Sequence, residues 1–220
     1  MNKNLEHQPA CQYCDKFLRP GTELNRAKWD VPVLETDHFV VVPTVGMLVP
    51  GWLLIISKKH HANLASLSKV EVQDFLHARD ITKDLLQRTF GMPLFFEHGP
   101  CLKQQNAGSC IDHAHYHAVP WPKDLMPLVS RDFKWNLVGN FNAVQKSYTA
   151  EGAYLLYENH DGEMFCSHPK KVPSQYFRQV IAREIGRPND WDWAVFPEYE
   201  TIEITQSKFL AAGKRFCPAK

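Results

Sequence analysis

The sequence predicts an α+β protein in which an antiparallel sheet carries one long packed helix and is followed by a C-terminal α/β extension. Three observations predict this class. One long amphipathic segment lies among short segments rich in β-branched residues, the strand-like segments stop at Gly or Pro, and the pattern changes near residue 125. The chain of 220 residues is 44% hydrophobic and 22% charged, which is typical of a globular protein with a sizeable core.

The first half of the chain predicts the element order β-β-α-β-β. The segment after residue 66 shows apolar residues at helical spacing, with Ser66 or Ser68 suited to begin the helix and Gly91 suited to end it. The remaining segments are rich in β-branched residues or alternate between apolar and polar ones. The predicted elements are a strand pair or bent strand at 31–43, a strand at 50–59, the helix at 67–91, and strands at 93–99 and 110–120.

Prolines interrupt the pattern at 122–126, which predicts a soft boundary there. We therefore divide the chain into residues 1–125 and a C-terminal extension of residues 126–220. Within the extension, Asp161 and Gly162 suit a hairpin turn. The predicted elements are strands at 153–158 and 163–167 and a helix at 174–186, while the pattern at 201–216 is ambiguous.

Composition excludes several classes of function. The net charge of +1 gives no reason to expect nucleic acid or a membrane surface as a partner. The apolar stretches, such as residues 52–56, are far too short to span a bilayer, and the first residues lack the apolar run of a secretory signal. We expect a cytoplasmic protein in a reducing compartment, where its six cysteines form no disulfide framework.

Three histidines stand at alternate positions in SCIDHAHYHAVP, residues 109–120: His113, His115 and His117. On a strand they share one face, with neighbours roughly 6.6 to 7 Å apart at Cα and the outer two about 13 Å apart. Because zinc needs ligand atoms about 2.0 to 2.1 Å away, two neighbours can share an ion, but all three cannot without bending the strand. At least one histidine is therefore available for other chemistry.

A histidine nucleophile is chemically reasonable in this row. A neutral imidazole can attack phosphorus through one nitrogen while a carbonyl or carboxylate holds the other, and a neighbouring histidine can bind a phosphate oxygen or protonate the leaving group. Two other interpretations stay open at this point. The row itself could be a set of catalytic zinc ligands, or it could be a solvated strand face.

The pattern His113-Ala-His115-Tyr-His117-Ala-Val resembles the signature of the histidine triad (HIT) superfamily of nucleotide hydrolases and transferases. Segments upstream resemble other motifs of that family, and together they cover about residues 11–122. The matching segments are VLETDHFVVV at 33–42, PGWLLIISKKHHANL at 50–64, FEHG at 96–99 and AGSCIDHAHYH at 107–117. The resemblance implies a HIT-like antiparallel sheet in this part of the chain.

The resemblance also implies roles for individual residues. His115 is the implied nucleophile that forms a covalent nucleotidyl-histidine, and His117 is implied to contact the phosphate and assist the leaving group. Ser109 and Cys110 stand where the family places polar contacts to phosphate. A third histidine is the pattern of the hydrolase branches, which favours hydrolysis of phosphorus-containing anhydrides, esters or phosphoramidates in a nucleotide or nucleotide-like substrate. Family members are commonly homodimers, so a homodimer is a further expectation.

Several family members have a zinc site made of an N-terminal C-x-x-C pair, a histidine of the second motif and the first histidine of the triad. The matching residues are Cys11, Cys14, His60 and His113. Two thiolates and two imidazoles suit tetrahedral, structural zinc. The alternative is that the cysteines are free and His60 is a surface residue.

Some positions depart from the family pattern. Thr44 stands where the family has an aspartate that binds the ribose hydroxyls, and Ser109 replaces a glutamine. Glu97 replaces an asparagine and adds an anionic group near the expected phosphates, which is repulsive unless it is paired, protonated or turned away. Trp52 replaces a histidine. These changes put an ordinary purine mononucleotide substrate in doubt.

We expect the extension to form a lobe that covers the site. Arg178, Lys170 and Lys171 are candidates for contacts to a substrate phosphate, although a solvated face is the favoured interpretation for them. Trp191 and Trp193 are expected to be packing residues. One rival function stays open for the whole chain, a non-catalytic nucleotide sensor or adaptor with the same fold.

Overall fold

A computed structural model describes residues 11–17, 27–100, 107–108, 111 and 113–212. This part of the chain contains a single antiparallel sheet of eight strands, with the order β1-β2-β3-β5-β4-β7-β8-β6. The strands are β1 (Leu34–Glu35), β2 (Phe39–Pro43), β3 (Leu53–Ser57), β4 (Pro93–Gly99), β5 (His115–Pro120), β6 (Asn136–Val138), β7 (Tyr154–Glu158) and β8 (Met164–Ser167). The helices are α1 (Gln12–Phe17), α2 (Lys69–Thr89), α3 (Met126–Val129), α4 (Phe141–Glu151), α5 (Tyr176–Glu184) and α6 (Tyr199–Ala211). The predicted α+β class and the order β-β-α-β-β are confirmed.

The long helix α2 begins and ends as the sequence predicts. Ser68 caps its N-terminus, because the Ser68 hydroxyl accepts a hydrogen bond from the Glu71 N–H and the Glu71 carboxylate accepts one from the Ser68 N–H. The helix ends at Thr89, and Gly91 follows with a φ of +115°. Its buried side packs on one face of the sheet, where it meets the rings of Phe39 and Tyr116 through Phe75.

Alternation along the strands divides their side chains between two cores. Phe95 of β4 and Tyr116 of β5 belong to the core beneath α2, whereas Phe96 of β4 and Val119 of β5 belong to a second core on the opposite face. Since side chains two residues apart share a face, His115 and His117 lie on the face opposite α2.

The C-terminal extension continues the same sheet. Strand β7 pairs with β4, from Phe95 opposite Glu158 to Gly99 opposite Tyr154, and β8 pairs with β7. The turn between β7 and β8 closes with a hydrogen bond from the Gly162 N–H to the Asn159 carbonyl. The domain boundary near residue 125 stays a prediction. Strands from both sides of this position belong to the same sheet.

Two segments differ from the sequence-based prediction. The strand expected at 110–120 begins only at His115, because the Ala114 N–H donates to the His61 carbonyl instead of to a neighbouring strand. The ambiguous tail forms helix α6, whose Ile202 and Phe209 are buried against the rest of the protein. No helix in the described part of the chain combines the length and the apolar character that crossing a bilayer requires.

Candidate functional site

A cavity lies on the sheet face opposite α2, with the two strand histidines in its lining. At one end Tyr13 and Phe17 of α1 pack against the apolar cluster that contains Val42 and Leu54. The ring of Tyr13 lies 5.6 Å from that of His115, which places this apolar end beside His115. The cavity therefore joins an apolar end to a pair of histidines.

His115 is buried and held in one tautomer. Its Nδ1 atom lies 2.6 Å from the carbonyl oxygen of His113, and a carbonyl can only accept, so Nδ1 carries the proton. The Nε2 atom of the neutral ring is then left with its lone pair. Burial lowers the pKa of His115, although the hydrogen bond to His113 acts in the opposite direction. The ring therefore has the form that a nucleophile needs.

His117 is held in the other tautomer. The indole N–H of Trp52, which can only donate, lies 3.0 Å from Nδ1 of His117, so the proton of the neutral His117 ring is on Nε2. Phe96 stacks on the His117 ring at 4.5 Å and fixes its plane. Burial lowers the pKa of His117 well below its ordinary value, and the neighbouring His115 lowers it further. The two rings, 5.0 Å apart between centroids, thus offer one lone pair and one N–H.

A second group of side chains surrounds a point where a metal ion could be held. The ligand atoms of Cys11, Cys14, His60 and His113 all lie within 4.8 Å of one another. The Nδ1 atoms of His60 and His113 are 3.2 Å apart, and Nδ1 of His113 lies 3.3 Å from Sγ of Cys11 and 3.6 Å from Sγ of Cys14. Bonds of about 2.0 to 2.3 Å to a tetrahedral ion give ligand separations of roughly 3.3 to 3.8 Å.

The other nitrogen of His113 supports the same arrangement. The Nε2 atom of His113 lies 2.7 Å from the carbonyl oxygen of Ser57, so Nε2 carries the proton and Nδ1 presents its lone pair to the cluster. The four residues that the family resemblance implies as metal ligands are therefore brought together with a suitable geometry.

The residues expected to contact substrate have different positions. Thr44 is buried in the lining of the cavity, and its hydroxyl donates to the Val45 carbonyl. Glu97 is not among the lining residues, because its side chain points to the α2 face, where it accepts hydrogen bonds from the Leu64 N–H and the Tyr154 hydroxyl. Burial raises the pKa of Glu97 to about 8. Ser109 and Cys110 lie outside the described residues.

The extension contributes to the site, as expected for a lobe that covers it. Gln175, Arg178 and Trp193 line the cavity. Two backbone hydrogen bonds seat this part of the chain, from the Gln175 N–H to the Gly108 carbonyl and from the Gly46 N–H to the Pro197 carbonyl.

The favoured interpretation of Arg178 as part of a solvated face is wrong. Its side chain is buried, it donates to the carbonyls of Trp191 and Gly46, and its guanidinium carbon lies 4.9 Å from the centre of the Trp52 ring. Lys170 and Lys171 are exposed, which agrees with a solvated face. The reason for the error is that α5 is covered on more than one side, which the periodicity of an isolated helix cannot reveal.

Sequence reasoning missed His98, which lines the cavity from β4. Its signal was the alternation of FEHG, because a strand that turns Glu97 to one face turns His98 to the other. Trp52 was noted only as a departure from the family pattern, and its hydrogen bond to His117 had no sequence signal.

Comparisons with known proteins add similarities of fold. No family model matches the sequence, and no curated protein matches it. Similar solved structures include a HIT family hydrolase from Clostridium thermocellum, at 15% identity over 53% of this chain and 95% of that one, with a TM-score of 0.41. A DUF4931 family protein from Bacillus cereus is 14% identical over 84% of this chain and 100% of that one, with a TM-score of 0.45.

Yeast Ap4A phosphorylase Apa2, solved in complex with AMP, is 12% identical over 72% of this chain and 64% of that one, with a TM-score of 0.44. At these identities the similarity concerns the fold alone.

Proposed function

We propose that the protein is a nucleotide phosphoester hydrolase or nucleotidyl transferase that acts through a covalent nucleotidyl-histidine on His115. The observation that carries this proposal is the pair of opposite tautomers on β5. His115 offers the lone pair of Nε2, and His117 offers the N–H of its own Nε2 to the same cavity. A solvated strand face would not need two buried imidazoles held in complementary forms.

The proposed reaction has two steps. In the first, Nε2 of His115 forms a bond to the phosphorus of the nucleotidyl group, the bond from phosphorus to the leaving oxygen breaks, and its electron pair departs with that oxygen. The Nε2–H of His117 donates to a phosphoryl oxygen and stabilises the charge that develops there. The His113 carbonyl stabilises the positive charge on the His115 ring by accepting from Nδ1–H.

In the second step, water or an acceptor hydroxyl attacks the same phosphorus. The bond between phosphorus and Nε2 breaks, its electron pair returns to His115, and the proton of the attacking group is released to solvent. Hydrolysis and transfer differ only in the acceptor. The cavity supports a nucleotide-like substrate because its apolar end, with Tyr13 and Phe17, suits a base, and Thr44 places a hydroxyl in the lining where a sugar could meet it. Ser109 and Cys110 stay predicted phosphate contacts.

We further propose that the metal held by Cys11, Cys14, His60 and His113 is structural zinc, since two thiolates and two imidazoles are donors that zinc prefers. Zinc would tie the N-terminal segment to the residue whose carbonyl orients His115, and it would take no part in the chemistry. The need for two thiols supports a reducing, cytoplasmic location. The row of histidines as catalytic ligands is disfavoured, because His115 and His117 are not part of the cluster.

Removal of one thiol tests the zinc proposal. We expect the purified protein to contain about one zinc per chain by elemental analysis, and Cys14→Ser to lose most of it together with part of its thermal stability. The matched control is Cys166→Ser, which changes another buried cysteine outside the cluster and should keep the zinc. Equal zinc in wild type and Cys14→Ser would contradict the proposal.

The function is tested by turnover of a panel of labelled nucleotides and dinucleotides. We expect hydrolysis of at least one of them, with loss of about a hundredfold or more in His115→Gln and a smaller loss in His117→Gln. Saturable binding without turnover by the wild-type protein would instead favour the nucleotide sensor or adaptor. Turnover that survives in His115→Gln would contradict the covalent mechanism.

A further inference from the structure

The cavity lining next to Trp52 carries a positive charge. The guanidinium of Arg178 is fixed there over the ring of Trp52, the same ring whose N–H holds His117. Among the described residues that line the cavity, Asp30 is the one acidic side chain, and it belongs to the apolar end, where it pairs with Lys16 at 3.0 Å. A fixed charge thus lies over the same indole that holds His117.

His98 adds a polar atom to the cavity lining. The residue is 5% exposed, its ring centroid lies 6.3 Å from that of His117, and it lines the cavity. Its Nε2 atom is buried and makes no hydrogen bond within the described part of the protein. A buried nitrogen without a hydrogen bond lowers the stability of the folded protein. Because His98 Nε2 lies beside a cavity and a cation, its position suggests that a bound ligand supplies the missing hydrogen bond.

The contacts of His117 restrict the leaving group as well. The Nδ1 atom of His117 accepts the Trp52 N–H and therefore carries no proton, so loss of the Nε2 proton would leave an imidazolate. The neutral His117 ring can donate a hydrogen bond, but it cannot act as a general acid near neutral pH. A leaving group that must be protonated to depart, such as an amine or an alkoxide, is poorly served by this site.

From these contacts we propose that His98 and Arg178 form a subsite for a phosphate on the leaving group and so favour a charged leaving group over an uncharged one. This inference rests on the proposed function and assigns its leaving-group specificity to these two residues. A phosphate has a second pKa of about 6 and departs as a stable anion without a proton. Its oxygens can only accept when ionised, which matches the charge of Arg178 and the unpaired Nε2 of His98 in the tautomer that carries its proton on Nε2.

In this reaction His115 attacks the phosphorus of the nucleotidyl group, and the anhydride bond to the leaving phosphate breaks. The electron pair of that bond stays on the leaving phosphate oxygen, where Arg178 stabilises the charge. No proton is transferred to the leaving group, and no further reactant is needed for this step.

Two substrates with the same nucleoside can be compared whose leaving groups both depart without a proton but differ in charge. This comparison isolates the effect of the leaving-group charge on the rate. One is a nucleoside 5′-diphosphate, and the other is the corresponding 5′-(4-nitrophenyl) phosphate, whose leaving group also departs without a proton but is uncharged in the substrate. The quantity measured is the single-turnover rate at which each substrate forms the adduct on His115. We expect the diphosphate to react about tenfold faster or more in the wild-type protein.

The variants should change the ratio of these two rates. Arg178→Gln should reduce the ratio about tenfold or more, whereas the matched variant Arg178→Lys, which keeps the charge, should retain most of it. His98→Asn should also reduce the ratio of the two rates. This variant provides the test if Arg178→Gln does not fold.

The outcomes separate this proposal from the function on which it rests. Equal rates for the two substrates in the wild type, or a ratio that stays the same in Arg178→Gln and His98→Asn, would overturn the phosphate subsite alone. Absence of any adduct from either substrate would remove the proposed function and the subsite with it.

Discussion

At the scale of single residues, the two histidines of β5 differ because the Nδ1 atom of each has a different partner. A backbone carbonyl accepts from His115, and an indole N–H donates to His117. These contacts leave Nε2 of His115 with a lone pair and Nε2 of His117 with a proton. Under the proposed function, Trp52 is therefore a positioning residue that acts through His117.

Trp52→Phe tests this role. The substitution keeps an aromatic ring beside Arg178 but removes the N–H, so both tautomers of His117 become available. We expect the adduct to form roughly tenfold more slowly, the effect of losing one buried hydrogen bond. The specific readout is the ¹⁵N NMR spectrum of the His117 ring, which should report a proton on Nε2 in the wild type and a mixture of tautomers in Trp52→Phe. An unchanged spectrum would mean that Trp52 only packs.

The sequence predicted some of this site and could not predict the rest. Strand periodicity alone showed that His113, His115 and His117 could not all share one ion, and the family resemblance implied their roles. The Cys11, Cys14, His60 and His113 cluster was implied in the same way and has suitable geometry. The tautomers, in contrast, depend on partners from other segments, and no local pattern encodes which atom of Trp52 meets which nitrogen of a ring 65 residues away.

At the scale of secondary structure elements, alternation along β4 separates the acidic residue of this strand from the site. Glu97 lies beneath α2 and bonds to Leu64 and Tyr154, while His98 lines the cavity. The repulsion that Glu97 could exert on a phosphate is thus avoided, because the side chain is turned away and its raised pKa favours the protonated form.

Glu97→Gln should reveal the raised pKa as a pH-dependent stability. Burial raises the pKa of Glu97 in the folded protein to about 8 from an ordinary value of 4.5. The stability that its protonated form contributes is full below about pH 4.5 and is lost as the pH rises through about 8. The free energy of unfolding of wild type relative to Glu97→Gln should fall across this range, by at most about 1.4 kcal/mol per pH unit, and level off above it.

Urea unfolding of both proteins between pH 5 and pH 9 measures this difference. A difference that stays constant with pH would show that Glu97 ionises alike in the folded and unfolded states.

Helices and strands whose own sequence has capping residues or an apolar pattern were predicted well. Elements without such a pattern were missed. Ser68 and Gly91 define the ends of α2, and β-branched residues define β2 and β3. Strand β6 has only three residues, two of them exposed, so its sequence has no apolar pattern to detect. Helix α6 was ambiguous because only three of its residues are buried and one of them, Thr205, is polar.

At the scale of the whole molecule, the C-terminal extension completes the cavity that β4 and β5 begin. Its α5 packs through Phe177 on Phe96, at 4.3 Å between ring centroids, and this places Arg178 above Trp52. The approach is close at Gly46, where a Cβ atom would lie 2.5 Å from Cβ of Trp193 and 2.6 Å from a guanidinium nitrogen of Arg178. Such long-range packing is invisible in the sequence of either segment.

Gly46→Ala tests whether this packing matters for the reaction. The added methyl group must displace Trp193 or Arg178, so we expect the rate of adduct formation to fall about tenfold or more. Gly162→Ala is the matched control, since Gly162 also has a positive φ, +82° against +73° for Gly46, but has open space around its Cβ position. Backbone strain should cost each variant about 1 to 2 kcal/mol of stability, Gly46→Ala should lose more because its methyl group also displaces neighbours, and only Gly46→Ala should lose rate. Similar rates in the two variants would contradict a role for the extension.

If His115 becomes covalently nucleotidylated during turnover, mass spectrometry of the trapped intermediate detects the adduct. The protein is mixed with a labelled nucleotide substrate, quenched in mild alkali so that a phosphoramidate survives, and digested. We expect one nucleotidyl group on the peptide that contains His115, formed fast enough to lie on the reaction path and absent in His115→Gln. An adduct on His98 or His117 instead, or full turnover without any adduct under these conditions, would contradict this expectation.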